Sequence, residues 1–115
     1  MDYTHIVERF LEAYNQKDLA TFIGYLHPDF ESYLLDTQVT LSRGKEEAIA
    51  IYKKRFEEVP GPFIRVLNRM VNDNFIIDDQ IIEHFEGNKA IHAFSIFEFQ
   101  DSLIRKASFV RRDLP

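Results

Sequence analysis

Apolar residues recur at helical spacing near the start of the chain. Between Thr4 and Asn15, the residues Ile6, Val7, Phe10, Leu11 and Tyr14 fall three and four apart, which places them on one face of an amphipathic helix. The segment NQKD interrupts the pattern. Asp18 is positioned to cap a second helix by accepting from the amides of its first turn. Leu19, Phe22, Ile23 and Leu26 make the buried stripe of that helix, and Pro28 stops it near His27. FESYLLD and QVTLS read as short strands around Asp36 and Thr37. SRGKEEAIAIYKKRFEEVPGP holds a third helix with Ile49, Tyr52 and Phe56 inward, its end marked by Pro60, Gly61 and Pro62.

After Pro62 the period changes to two. FIRVLNRMV, FIIDDQIIEHF, AIHAFSIFEF and LIRKASFVRR are four successive strands, joined by NDN, EGNK and QDS, which suit tight hairpins. The third of these has no wet side. Ala90, His92, Phe94, Ile96 and Glu98 point one way, and Ile91, Ala93, Ser95, Phe97 and Phe99 the other. Helices first and a meander afterwards make an α+β plan, with three helices on one face of a mainly antiparallel sheet. No repeat or linker divides residues 1–115, so the expectation is a single domain.

Composition narrows the functions. With 45% hydrophobic residues, disorder is excluded, and 11 Phe with no Trp point to an aromatic-walled interior. A net charge of −5 argues against nucleic acid as a partner. The basic cluster of Arg105, Lys106, Arg111 and Arg112 reads as a solvated rim. Without cysteine there is no disulfide, thiol nucleophile or cysteine-ligated zinc. The N-terminal MDYTHIVERF lacks a signal-peptide pattern and no apolar run reaches membrane-span length, so a cytoplasmic protein with no membrane contact is expected. Glycines fall only at 24, 44, 61 and 87, which leaves no phosphate-cradling loop. His5, His27, His84 and His92 are never three or four apart, so no helical metal-ligand pair is expected. No nucleophile motif surrounds Ser42 or Ser95.

The phrases AYNQKDL, LHPDF, RGKEEAI, NFIIDDQ and SLIRKASFVRR, in this order of elements, resemble the nuclear transport factor 2-like superfamily, in particular its SnoaL-like polyketide cyclase and ketosteroid isomerase branches. The resemblance implies a cone-shaped fold, a strongly curved sheet wrapped on three helices around an apolar pocket. It also implies a homodimer through the outer sheet face, here carrying Phe94 and Ile96, and no cofactor. Phe97 and Phe99 then line the pocket together with Ser95.

The isomerase chemistry of this fold uses a carboxylate base with a tyrosine and a protonated aspartic acid as donors. The corresponding places fall at Phe10, near Leu34 and at Ser95, none of which carries the required group. Tyr14 and Asp36 stand close by, Asp36 in a turn-like LDTQ. Matching the hairpin at Gly87 to the family turns Phe75, Ile77, Asp79, Ile81, Glu83 and Phe85 toward the pocket, and Asp78 away from it. An aspartate among Ile and Phe side chains has its pKa raised and can exchange protons. Asp79, Tyr14 and Ser95 are therefore the candidate catalytic residues. Phe10, Tyr33, Phe97, Phe99, Phe109 and Arg111 are the candidate ligand-binding residues, with Arg111 at the mouth, where a ligand carboxylate or Asp79 can pair with it. His84 and His92 fall on the outward parity. Two readings stand. One is a cofactor-independent acid–base isomerase, cyclase or dehydratase acting on a small hydrophobic carbonyl compound. The other is a non-catalytic module for binding a small hydrophobic ligand or for dimerisation.

Overall fold

The computed structural model describes residues 2–59, 61, 63–86 and 89–114, with Glu86 by its backbone alone. Pro60, Pro62 and Gly87, used above as a helix stop and a hairpin turn, lie outside the described residues. The elements run α1 (Thr4–Asn15), α2 (Leu19–Gly24), β1 (Leu26–Leu34), β2 (Thr40–Arg43), α3 (Lys45–Glu58), β3 (Phe63–Asn72), β4 (Phe75–Glu86), β5 (Lys89–Gln100) and β6 (Leu103–Asp113). The strands form one open sheet in the order β2-β1-β6-β5-β4-β3. The β1–β6 pair is parallel and the others are antiparallel. The α+β plan and its three helices are as the sequence implied.

The whole α1 stripe is buried. Past its end Lys17 turns left-handed, and the Asn15 side chain fastens the helix to the sheet. Asn15 accepts from the Ile64 amide at 2.7 Å and donates to the Ile64 carbonyl at 3.0 Å. Asp18 caps α2, accepting from the Thr21 amide at 3.2 Å. That helix is shorter than expected. It ends at Gly24, and Leu26 to Leu34, Pro28 included, is strand. The Ile104 amide bonds the Tyr25 carbonyl, so β6 recruits the chain before it reaches Pro28. The proline, which has no amide to offer a neighbour, falls in an irregularity of register between Leu26 and Glu31. At Gly44, with φ +85°, the amide donates to the Phe30 carbonyl and α3 starts.

Phe22 is the hub of the core. Its ring lies 4.1 Å from Phe10, 4.6 Å from Tyr52, 5.7 Å from Phe56 and 5.9 Å from Tyr14, so one short helix is locked to both longer ones. The inner sheet face supplies Ala93, Ser95, Phe97, Ala107 and Phe109, all buried.

Strand β4 departs from strict alternation, and this decides what the interior contains. Ile76, Asp78, Gln80 and Ile82 are buried, and they stand opposite Phe97, Ser95, Ala93 and Ile91 of β5. Register then slips between Ile82 and Glu86, where His84 adopts φ +54°. Between these pairs β4 advances four residues while β5 advances two, and with His84 left-handed the alternation of faces is broken there. Phe85 therefore does point inward, as the hairpin match implied, while Asp79 points outward and Asp78 inward. Among the described residues, no helix is long and apolar enough to cross a membrane.

Candidate functional site

A cavity of about 150 Å³ lies between the helices and the inner sheet face. Helix α1 contributes Phe10 and Tyr14, α3 contributes Tyr52 and Arg55, and the sheet contributes Gln80, Phe85, Ser95, Phe97, Phe109 and Arg111. Ile51, half-exposed, also lines it. The structure thus brings together Phe10, Tyr14, Ser95, Phe97, Phe109 and Arg111 from the sequence-derived set.

Asp79, Tyr33 and Phe99 are elsewhere. The β4 bulge puts Asp79 on the outer face, where its carboxylate bonds the His92 ring and accepts from Asn68. The His92 hydrogen bond, helped by Asn68, holds its carboxyl below the usual range, opposite to the expected rise. The pairing considered between Asp79 and Arg111 does not form, since the two lie on opposite faces. Tyr33 alternates with the inward Phe30 and Ser32 of β1 and lies beside Glu31, Leu35 and Arg43 on the outside. Phe99 is buried, but it stacks on Tyr3 at 4.4 Å, away from the cavity wall.

Besides the Ser32 hydroxyl, which is hydrogen-bonded to Ser42, two polar groupings reach the cavity. In the first, the Ser95 hydroxyl donates to Gln80 Oε1 at 2.8 Å, and Gln80 Nε2 donates to Asp78 at 3.5 Å. Arg69 holds the fully buried Asp78 through both carboxylate oxygens, at 2.6 and 2.8 Å. Glu8 lies 3.5 Å from Arg69 at the surface end. This chain fixes the Gln80 amide, and so commits the Ser95 proton away from the cavity and leaves its oxygen as an acceptor there.

The second grouping gathers around Phe85. The Arg55 guanidinium sits 4.4 Å from the ring centroid and also donates to the Phe85 carbonyl at 2.8 Å. Arg111 lies 4.8 Å from the same ring and 4.6 Å from that of Phe109. Burial pushes the Tyr14 phenol up to about 12 against the pull of Arg55, and burial also raises Tyr52. Both phenols stay neutral donors at physiological pH. Among the described residues lining the cavity there is no carboxylate and no imidazole. No group of three or more His, Cys, Asp or Glu among the described residues is placed to hold a metal ion.

Arg55 was legible and overlooked. It follows Ala48, Ile51 and Tyr52 at helical spacing, which places it on the inward face of α3. Gln80 was missed together with Asp78, because both change face at the bulge.

Helices packed on an open mixed sheet of this order define a nuclear transport factor 2-like fold. Within that class the chain belongs to the SnoaL-like domain family, whose pattern matches residues 7–107. No curated protein matches it in sequence. Among solved structures it is similar to a cystatin-fold protein from Novosphingobium aromaticivorans, with 14% identity and a TM-score of 0.88 over 96% of this chain and 99% of that one. It is also similar to a candidate ketosteroid isomerase from Kribbella flavida, with 12% identity and a TM-score of 0.81 over 98% and 79%. A third is a candidate SnoaL-like polyketide cyclase from Shewanella denitrificans, with 13% identity and a TM-score of 0.77 over 96% and 90%. At these identities the likeness is one of fold.

Proposed function

We propose that this domain binds a small, largely apolar molecule in the cavity between its helices and sheet, and that it does so without acid–base catalysis. One observation carries the reading: the described wall has aromatic rings, hydroxyls, an amide and two guanidiniums, but no group able to take up a proton near neutral pH. Isomerase and cyclase chemistry needs a positioned proton acceptor, and the candidate for that role, Asp79, faces the other way with its carboxyl already engaged. The volume, about 150 Å³, is below the roughly 300–1,000 Å³ of sites for drug-sized ligands and matches a cavity that takes benzene. The expected ligand therefore has a single ring or its equivalent.

The test is ligand-observed NMR with toluene. Binding is expected in the parent protein and is expected to vanish in Ala107→Phe, which fills the cavity, with far-UV circular dichroism checking the fold. Toluene that fails to bind, or that binds the filled variant equally well, overturns the reading. The proposal includes a homodimer through the outer sheet face, where Phe94 is 45% exposed and Phe75 39% exposed, a patch that a second copy would cover.

A further inference from the structure

We infer that the molecule held in the cavity carries a hydroxyl, a ring-sized phenol or alcohol whose O–H donates to the Ser95 oxygen while its apolar body rests among Phe10, Phe97 and Phe109. The inference rests on the binding reading above and narrows it to one ligand class.

The direction of a buried relay fixes what Ser95 can offer. Asp78, bound through both oxygens by Arg69, is a carboxylate and can only accept. The Gln80 amide beside it therefore turns its nitrogen toward Asp78, at 3.5 Å, and its oxygen toward Ser95. The reverse orientation would set the amide oxygen against the carboxylate, two acceptors face to face. Ser95 has one proton, and Gln80 Oε1 takes it at 2.8 Å. Asp78, Gln80 and Ser95 are all buried, so a broken link would leave a polar group unsatisfied at a cost. Arg69, at the surface end, thus determines that Ser95 presents lone pairs and no proton to the cavity.

A ligand that meets this oxygen has to bring a donor. A carbonyl or a carboxylate has no proton for it. Cations are poorly served, because Arg55 already puts a positive charge on the wall and no carboxylate among the described residues lines it. A neutral O–H or N–H remains, and Tyr14 favours the first. Its phenol is bonded by Arg55, and a guanidinium has only protons to give, so the Tyr14 oxygen accepts and keeps its own proton for a partner. Burial pushes the Tyr14 pKa up to about 12, so that proton stays on. A hydroxyl both donates and accepts, which suits a wall with an acceptor on β5 and a donor on α1; an aromatic N–H only donates. Ser32, paired with Ser42 in a bond that either can donate, sets no direction.

Size limits the rest of the ligand. A cavity of about 150 Å³ takes one six-membered ring, so the hydroxyl is carried by a single ring or a chain of similar bulk.

The experiment measures binding of phenol, benzaldehyde and toluene to the intact protein by NMR titration. Phenol donates and accepts, benzaldehyde only accepts, and toluene does neither, so the first two affinities are read relative to toluene. In Ser95→Ala the phenol-to-toluene ratio is expected to fall about fivefold, the worth of one neutral hydrogen bond, while the benzaldehyde-to-toluene ratio stays within about twofold. In Gln80→Leu the Ser95 proton loses its acceptor and can turn to the cavity, so the benzaldehyde ratio is expected to rise about fivefold. Persisting toluene binding reports that each variant is folded, and if Gln80→Leu loses it, Ser95→Ala decides alone. An unchanged phenol ratio in Ser95→Ala would overturn this inference and leave the binding reading intact. So would a benzaldehyde ratio that falls as far as the phenol ratio, since Ser95 would then be donating to the carbonyl. A benzaldehyde ratio that does not move in folded Gln80→Leu would overturn it as well, because the relay would not be what holds the Ser95 proton. Failure of all three probes would remove the binding reading itself.

Discussion

The buried pair of Arg69 and Asp78 offers the sharpest test of how the interior is held together. Asp78 is fully buried, and the Arg69 side chain is only 17% exposed. In Asp78→Val, Arg69 loses hydrogen bonds at 2.6 and 2.8 Å and keeps only the exposed Glu8 at 3.5 Å. Removing one member of a buried pair costs roughly 3–5 kcal/mol, most of it from the charge left behind. Arg69 lies near the surface and can turn partly toward Glu8, so the lower end, about 3 kcal/mol, is expected. With a urea m-value of ~1–3 kcal/mol/M for a small domain, the midpoint should fall by roughly 1–3 M. Replacing both partners, Asp78→Val with Arg69→Met, removes both charges and should recover about half or more of the loss, the remainder being the buried Gln80 amide left without Asp78. Urea unfolding followed by circular dichroism measures all three proteins. A single variant that loses under about 1 kcal/mol, or a double variant as unstable as the single one, would refute the reasoning.

Three further outcomes are expected. Asp79 is held below its ordinary pKa by His92 and Asn68, so the folded state binds its proton less readily than the unfolded one. Its contribution is present above the unfolded value and is lost as pH falls through the folded one; Asp79→Asn should flatten the decline of thermal stability below about pH 4. Tyr14 has the reverse sign. Its folded pKa is raised from 10 to about 12, so the unfolded chain releases that proton first, stability falls over this interval, and Tyr14→Phe should remove part of the fall in an alkaline melting series. Phe94→Glu places a charge on the outer sheet face and should give monomers in sedimentation velocity at micromolar concentration, where the parent should sediment as a dimer.

Much of the fold was legible because its signals are local and redundant. Five apolar residues on one stripe specify α1, and one side chain, Asp18, specifies where α2 begins. The end of α2 was not legible, since the chain leaves the helix for hydrogen bonds with β6, a partner some 80 residues away whose pull no local propensity reports. The interior face of β5 was readable from Ser95, Phe97 and their neighbours. That of β4 was not. FIIDDQIIEHF is apolar on both parities, with an aspartate on each, so the pattern fits either face inward. A parity carried from the hairpin is correct as far as Phe85 and wrong beyond His84. His84 in the left-handed region has no signature in the sequence that separates it from an ordinary strand residue. The candidate base was lost at that one residue, and Arg55 was passed over because an arginine on a helix reads first as a solvated one.

The bulge at His84 also has a consequence for descent. Because the lower half of β4 is out of phase with its upper half, loss of a single codon between Ile82 and Phe85 would put Asp79 and Phe85 on one face: with Phe85 kept at the cavity, Asp79 would turn toward it and Asp78 would be carried out to meet solvent. The substitutions usually needed to install a carboxylate at a binding site, one changing the residue and others repairing the packing, are replaced here by one insertion or deletion event acting on a residue already encoded next door. A lineage with this strand holds a binder and a scaffold for proton transfer one indel apart, and point-mutation scans of the cavity would never visit the second.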